Sequence, residues 1–154
     1  MRALLQRVSA ASVSVDNVIT GQIGEGFLVF LGVGKSDTQE DLEYLVDKVI
    51  NLRVFPDEHG KFDRSVQDVG GEILLVSQFT LYADTRKGRR PSFSDAMPVN
   101  EAKELFIEAT EAFRNSGVNI ETGVFQADMS VSLVNEGPVT LLIDSVDRLK
   151  PRNV

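Results

Sequence analysis

The sequence has no cysteine and a single histidine, and these two scarcities narrow its chemistry before any motif is considered. Without cysteine there is no disulfide, no thiolate metal site and no cysteine nucleophile. A Ser-His-Asp hydrolase would have to use His59, which lies in Pro56-Asp57-Glu58-His59-Gly60 and reads as an exposed turn. Zinc would need an unusual, carboxylate-rich ligand set. An enzyme of this composition is expected to work without a histidine base, a tightly held metal or any other cofactor.

Long apolar runs are also missing. No stretch approaches the roughly 20 residues that span a bilayer, so no membrane partner is expected. The N-terminal segment has an early positive charge at Arg2 but neither a long apolar run nor a small-residue cleavage site, and a cytoplasmic location is the expectation. Cations are the minority: 16 Lys+Arg against 23 Asp+Glu give a net charge of −7. Such a chain is repelled by nucleic acid at long range, which argues against non-specific polyanion binding and against DNA as a partner. A local basic patch stays open. Arg86, Lys87, Arg89 and Arg90 crowd one short segment, and Arg148, Lys150 and Arg152 form a sparser set near the end. Taken alone, either set reads as a solvated loop or tail.

With 154 residues, 42% apolar and 25% charged, the chain fits one globular domain, residues 1–154, with room for a substantial core. No internal repeat or long linker divides it. After Ser36-Asp37-Thr38, Leu42, Leu45, Val46, Val49 and Ile50 fall on one helical face, with Asp37 and Glu40 as an N-terminal capping pair. A second helix follows Pro98-Val99-Asn100, with Ala102, Leu105, Phe106, Ala109, Ala112 and Phe113 on one face and Gly117 as a stop. The rest reads as strands. Segments 4–8 and 12–15 are short β-type runs, while 27–31 and 73–76 are continuous apolar runs suited to burial on both faces. Segment 130–134 alternates more openly, and 139–143 follows a Gly-Pro interruption. The pattern predicts a mixed α/β domain of curved, partly barrel-like sheets with two main helices packed outside.

Two phosphate-binding motifs fail on spacing. The strand before Gly34-Lys35-Ser36 suggests a P-loop, but its first glycine should stand where Val29 is. Gly32 and Gly34 read instead as a tight strand-to-helix turn. Gly21, Gly24 and Gly26 miss the dinucleotide fingerprint and are expected to punctuate a hairpin.

Two segments remain. A buried strand after Gly70-Gly71-Glu72 runs directly into Ser77-Gln78-Phe79-Thr80-Leu81-Tyr82-Ala83-Asp84. Hydroxyl and amide side chains at the end of an apolar strand must find partners. They either satisfy the strand end or form a polar platform at a pocket mouth. The second segment is Asn135-Glu136-Gly137-Pro138-Val139-Thr140. Proline cannot donate to a β-ladder, so Gly-Pro here marks an ordinary hairpin turn or a shaped loop, with a cis bond open to it.

Ser-Gln-Phe-Thr-Leu at 77–81 and Asn-x-Gly-Pro-Val-Thr at 135–140 resemble the two signature motifs of the D-aminoacyl-tRNA deacylases. The likeness covers the whole chain, including 1–8, Leu31-Gly32-Val33-Gly34, 84–93 and 123–134. Gln126 departs from it, standing where the family pattern has glycine or another small residue. The resemblance implies a hydrolase that cleaves the ester between a D-amino acid and the terminal ribose of tRNA, and that also accepts glycyl-tRNA mischarged on tRNA(Ala). It implies no conventional triad, but main-chain groups and the ribose 2′-hydroxyl of the substrate.

Carried over, Ser77, Gln78, Phe79 and Thr80 form the catalytic wall, with the Phe79 and Thr80 N–H groups as oxyanion donors and Thr80 positioning rather than covalent. Gly137 and Pro138, joined by a cis bond, are the chirality filter, inserted into the site of the other subunit of a homodimer. Arg7, Tyr82, Phe125, Met129 and Asn135 are expected at the substrate, with Phe125 and Met129 lining an adenosine pocket or packing in the core. Arg86, Lys87, Arg89 and Arg90 are expected at the acceptor end of tRNA. Two other functions are weighed against this one: a general esterase with a Ser77 or Thr80 nucleophile, and a non-catalytic tRNA-binding module using the 86–90 loop.

Overall fold

In a computed structural model the described residues run from Met1 to Pro151, so Arg152 of the terminal basic set lies outside them. The fold is organised by one long strand, β1 (Arg2–Val15). Asp16 and Asn17, both with positive φ (49° and 63°), make the two-residue turn that suits a hairpin and lead into antiparallel β2 (Val18–Ile23). After Gly24-Glu25, β3 (Gly26–Gly32) returns along the first half of β1, from Arg2↔Gly32 to Val8↔Gly26. The glycines at 24 and 26 therefore mark the corner between β2 and β3, and the hairpin expected there turns at Asp16-Asn17 instead.

Two parallel additions extend the sheet. Strand β6 (Glu72–Ser77) pairs with β3, and β7 (Asn119–Thr122) pairs with β6. The order is β2-β1-β3-β6-β7, with β8 (Ser130–Asp144) along the other side of β1. The sheet curls until β2 meets β6 and β7. A Cβ on Gly21 of β2 would stand 2.6 Å from the Thr122 carbonyl oxygen of β7, so only glycine permits this approach. A small hairpin, β4 (Phe55–Pro56) and β5 (Phe62–Arg64), completes the strands and carries His59 exposed in its turn.

Helices α1 (Gln39–Asn51) and α2 (Val99–Arg114) bury Leu42, Leu45, Val49, Phe106 and Phe113 against one face of the sheet, where they meet Phe27, Val29, Leu31, Ile73 and Leu75. The opposite face holds Val8, Val13, Ile23, Leu28, Leu74 and Val76 within the curl. Adjacent residues of β3 and β6 thus enter two different cores, which explains their unbroken apolar runs. The architecture is the mixed α/β one expected, with a nearly closed sheet and two helices.

Local details differ from the sequence reading. Segments 4–8 and 12–15 are one strand, and 130–134 and 139–143 are another that continues through Gly-Pro. The N-cap of α1 is Thr38, whose backbone N–H donates to Asp41 at 2.9 Å. Asp37 is occupied elsewhere: it accepts from the Met1 α-ammonium, the Gly34 N–H and the Tyr82 hydroxyl.

Candidate active site

Strand β6 delivers the first segment to the edge of the helix-side core. Its parallel pairing with β3 ends with the Gln78 N–H donating to the Leu31 carbonyl at 2.8 Å, and the chain then winds into a 3₁₀ turn, Phe79–Tyr82. Leu81 donates back to Gln78 and Ala83 to Thr80. The first residues of such a turn leave N–H groups without an internal acceptor. Among the described residues nothing accepts from the Phe79 or Thr80 N–H. The Gln78 amide donates to the Thr80 hydroxyl, and Phe79, 58% exposed, meets Phe93 edge-on at 4.9 Å.

Beside these donors lies a cavity of about 440 Å³. Ser77, Gln78 and Phe79 form one wall, while Phe106, Phe125 and Met129 supply apolar surface. Phe125 packs on Phe106 with ring centres 5.7 Å apart, so it serves the core and the cavity together. The turn next to it closes through Ala127 N–H to the Val124 carbonyl at 3.2 Å and holds Gln126 at φ 68°. That left-handed conformation costs a non-glycine residue about 1 kcal/mol. The Phe106 face was legible in the sequence only as helix core; nothing there reveals that it also lines a cavity.

The second segment lies elsewhere on the same chain. Pairing with β1 jumps from Val8↔Asn135 to Gln6↔Thr140, so residues 136–139 bulge opposite the single residue Arg7. Asn135 and Thr140 at the foot of the bulge are joined by a 2.9 Å hydrogen bond from the Asn135 amide. The Gly137–Pro138 peptide is cis. Gly137 has φ 118°, and a Cβ on it would stand 2.9 Å from the Arg7 guanidinium. Arg7, expected at the substrate, is only 8% exposed: it donates to the Val54 carbonyl and faces the rings of Phe55 and Phe62. Its buried Nε and the buried Asn135 Oδ1 have no hydrogen-bond partner among the described residues. Val131, on the cavity, pairs with Val13, whereas the bulge faces Arg7. Those positions are about 20 Å apart along an extended strand.

Tyr82 also turns inward. Its hydroxyl donates to Asp37 at 3.2 Å, and the Arg2 guanidinium lies 4.5 Å from its ring centre. Burial, reinforced by the Asp37 charge, pushes the phenol well above its ordinary pKa. Arg2 further donates to the Leu81 carbonyl and to Asp144, both at 2.9 Å. Tyr82 and Arg2 therefore brace the turn that carries Phe79 and Thr80, a role the sequence does not signal for Arg2. In the basic loop, Arg86 grips Asp84 with two side-chain bonds of 2.9 and 2.7 Å, and these, with the Arg86 backbone N–H, hold the Asp84 carboxyl down to about 2. Lys87, Arg89 and Arg90 are exposed. Arg148 is paired with Glu40 and Asp41, and Lys150 with Asp147. No cluster of metal-ligating side chains occurs among the described residues.

The family model for D-Tyr-tRNA(Tyr) deacylase matches residues 4–144, a span that contains both segments and the cavity. The chain belongs to the D-Tyr-tRNA(Tyr) deacylase family. It is accordingly an enzyme of the hydrolase class. It is 60% identical to a D-aminoacyl-tRNA deacylase of Desulfitobacterium hafniense (strain DSM 10664 / DCB-2) over 94% of this chain and 97% of the relative. It is 55% identical to a D-aminoacyl-tRNA deacylase of Aquifex aeolicus (strain VF5), over 94% of this chain and 98% of that one. Among solved structures, a c-Myc DNA unwinding element binding protein superposes with a TM-score of 0.88 at 43% identity, covering 94% of this chain and 98% of the other. A probable eukaryotic D-amino acid tRNA deacylase shares the fold at a TM-score of 0.82 and 19% identity, over 93% and 98% of the two chains.

Proposed function

We propose that this chain hydrolyses the ester of D-aminoacyl-tRNA, freeing tRNA and the D-amino acid, and that it spares L-aminoacyl-tRNA. The observation that carries the reading is the pair of free N–H groups at Phe79 and Thr80, in a turn that borders the cavity through Phe79, with no imidazole or carboxylate hydrogen-bonded to Ser77 or Thr80 among the described residues. Such donors suit a developing oxyanion. A water oxygen adds to the ester carbonyl, the two N–H groups hold the resulting negative charge, and the carbon–oxygen bond to the ribose breaks. The ribose oxygen leaves with the proton that the water gives up, relayed by the neighbouring 2′-hydroxyl of the substrate.

In this reading Gly137 and Pro138 exclude the side chain of an L-amino acid by fixed backbone, and glycine, having none, passes as glycyl-tRNA(Ala). The distance along β8 between the bulge and the cavity wall supports their delivery by a second copy, so the working unit is a homodimer with sites at the subunit interface. Arg7 and Asn135 then act through the bulge they support. Phe125 and Met129 hold the terminal adenosine, and Lys87, Arg89 and Arg90 meet the acceptor end, with Arg86 shaping their loop. A cytoplasmic location follows from this substrate.

The test offers matched D- and L-tyrosyl-tRNA to the purified protein. Hydrolysis of the D-ester alone is expected. Equal rates would defeat the chiral reading and favour a general esterase, while tRNA binding without turnover would favour a non-catalytic module.

A further inference from the structure

Gln126 combines three features that its turn does not require. It is the third residue of the Val124–Ala127 turn, where a positive φ favours glycine or asparagine, yet a long side chain is held there at φ 68°. It borders the cavity next to Phe125 and near Met129. Its carboxamide has no protein partner among the described residues, whereas the other carboxamide on the cavity, Gln78, is committed to Thr80. A carboxamide presents a donor and an acceptor side by side, the pattern that matches the N6 and N7 edge of adenine. The aromatic and thioether surface beside it suits the face of the same base.

We propose that Gln126 reads the terminal adenine of the substrate, pairing its carboxamide with the base edge while the ring rests against Phe125 and Met129. The proposal rests on the deacylase reading and adds a base-specific contact to it.

The probes are 3′-(D-tyrosylamino)-3′-deoxyadenosine, which cannot be hydrolysed at its amide, and the same compound lacking the 6-amino group. Binding of each is measured calorimetrically with the full chain, its Gln126→Gly variant and its Gln126→Asn variant, which keeps a turn-compatible residue but shortens the reach. The wild-type chain is expected to favour the adenine probe by about fivefold to tenfold, the value of one or two neutral hydrogen bonds. Both variants should bind the two probes alike, with Gln126→Gly melting no lower than wild type. A wild-type chain that binds both probes equally, or a glycine variant that keeps the preference, overturns the proposal. Deacylation of D-tyrosyl-tRNA is followed in parallel. If the wild-type chain deacylates but does not discriminate, only the role of Gln126 fails; if it neither deacylates nor binds a probe, the deacylase reading fails with it.

Discussion

The hydroxyl of Thr80 accepts a hydrogen bond from the Gln78 amide, and among the described residues no group capable of taking its proton is bonded to it. A hydroxyl in that state is a poor nucleophile and a good spacer. Thr80→Ala should therefore keep kcat/KM for D-tyrosyl-tRNA within about tenfold of wild type, whereas a covalent nucleophile would lose roughly a thousandfold or more. Mass spectrometry after rapid quenching should find no acyl-enzyme. His59 belongs to the same scale: it is exposed in the β4–β5 turn, remote in sequence from both motifs. The scarcity of histidine and cysteine was readable at once, and it is what directs the proposed chemistry towards main-chain groups. The burial of Arg7 was not readable, because a cation within a short β-type run looks the same whether it faces water or sits beneath a bulge.

Elements carry the site through their ends. Helix α1 begins at Thr38, and Asp41 closes the cap while its other oxygen takes Arg148 at 3.2 Å. Burial raises the Asp41 pKa, but hydrogen bonds from the Thr38 backbone, Ser145, Arg148 and the Thr38 hydroxyl outweigh it and bring the carboxyl down to about 2. A folded pKa below the unfolded one, about 3.9, means the stabilisation is present above roughly pH 4 and is lost as pH falls towards about 2. Asp41→Asn should cost about 1–2 kcal/mol at pH 7, the value of a helix cap. Urea unfolding at pH 7 and near pH 2 should show the gap between variant and wild type narrowing in acid; an unchanged gap would contradict the assignment.

The helices themselves were legible because Leu42, Leu45 and Val49, and Phe106, Ala109 and Phe113, repeat at helical spacing. Strands β1 and β8 were cut short in the sequence reading for a physical reason. Ser9-Ala10 and Gly137-Pro138 look like interruptions, but both fall where the β1–β8 register shifts and the pairing resumes beyond. Asp37 was assigned to a cap because its spacing to Glu40 allowed it. Besides the nearby Gly34 N–H, its partners Met1 and Tyr82 come from distant segments and leave no local trace.

At the scale of the whole molecule, the proposed function asks a chain of net charge −7 to receive a polyanion, which calls for a local basic surface. The 86–90 loop is that surface in the proposed function, and the Arg86–Asp84 pair leaves Lys87, Arg89 and Arg90 to form it. Replacing these three with glutamine should raise KM for D-tyrosyl-tRNA with little change in kcat. The dependence of log KM on log salt should flatten by up to about one for each phosphate that is no longer neutralised. An unaltered salt slope would move the tRNA-binding surface elsewhere.

The central claim is that fixed backbone rejects a side chain instead of recognising one. Glycyl-tRNA(Ala) and L-alanyl-tRNA(Ala) differ by a single methyl group on the same tRNA, so their relative deacylation rates test it directly. The account predicts that the glycyl ester is hydrolysed and the L-alanyl ester is spared. Equal hydrolysis of the two would contradict it.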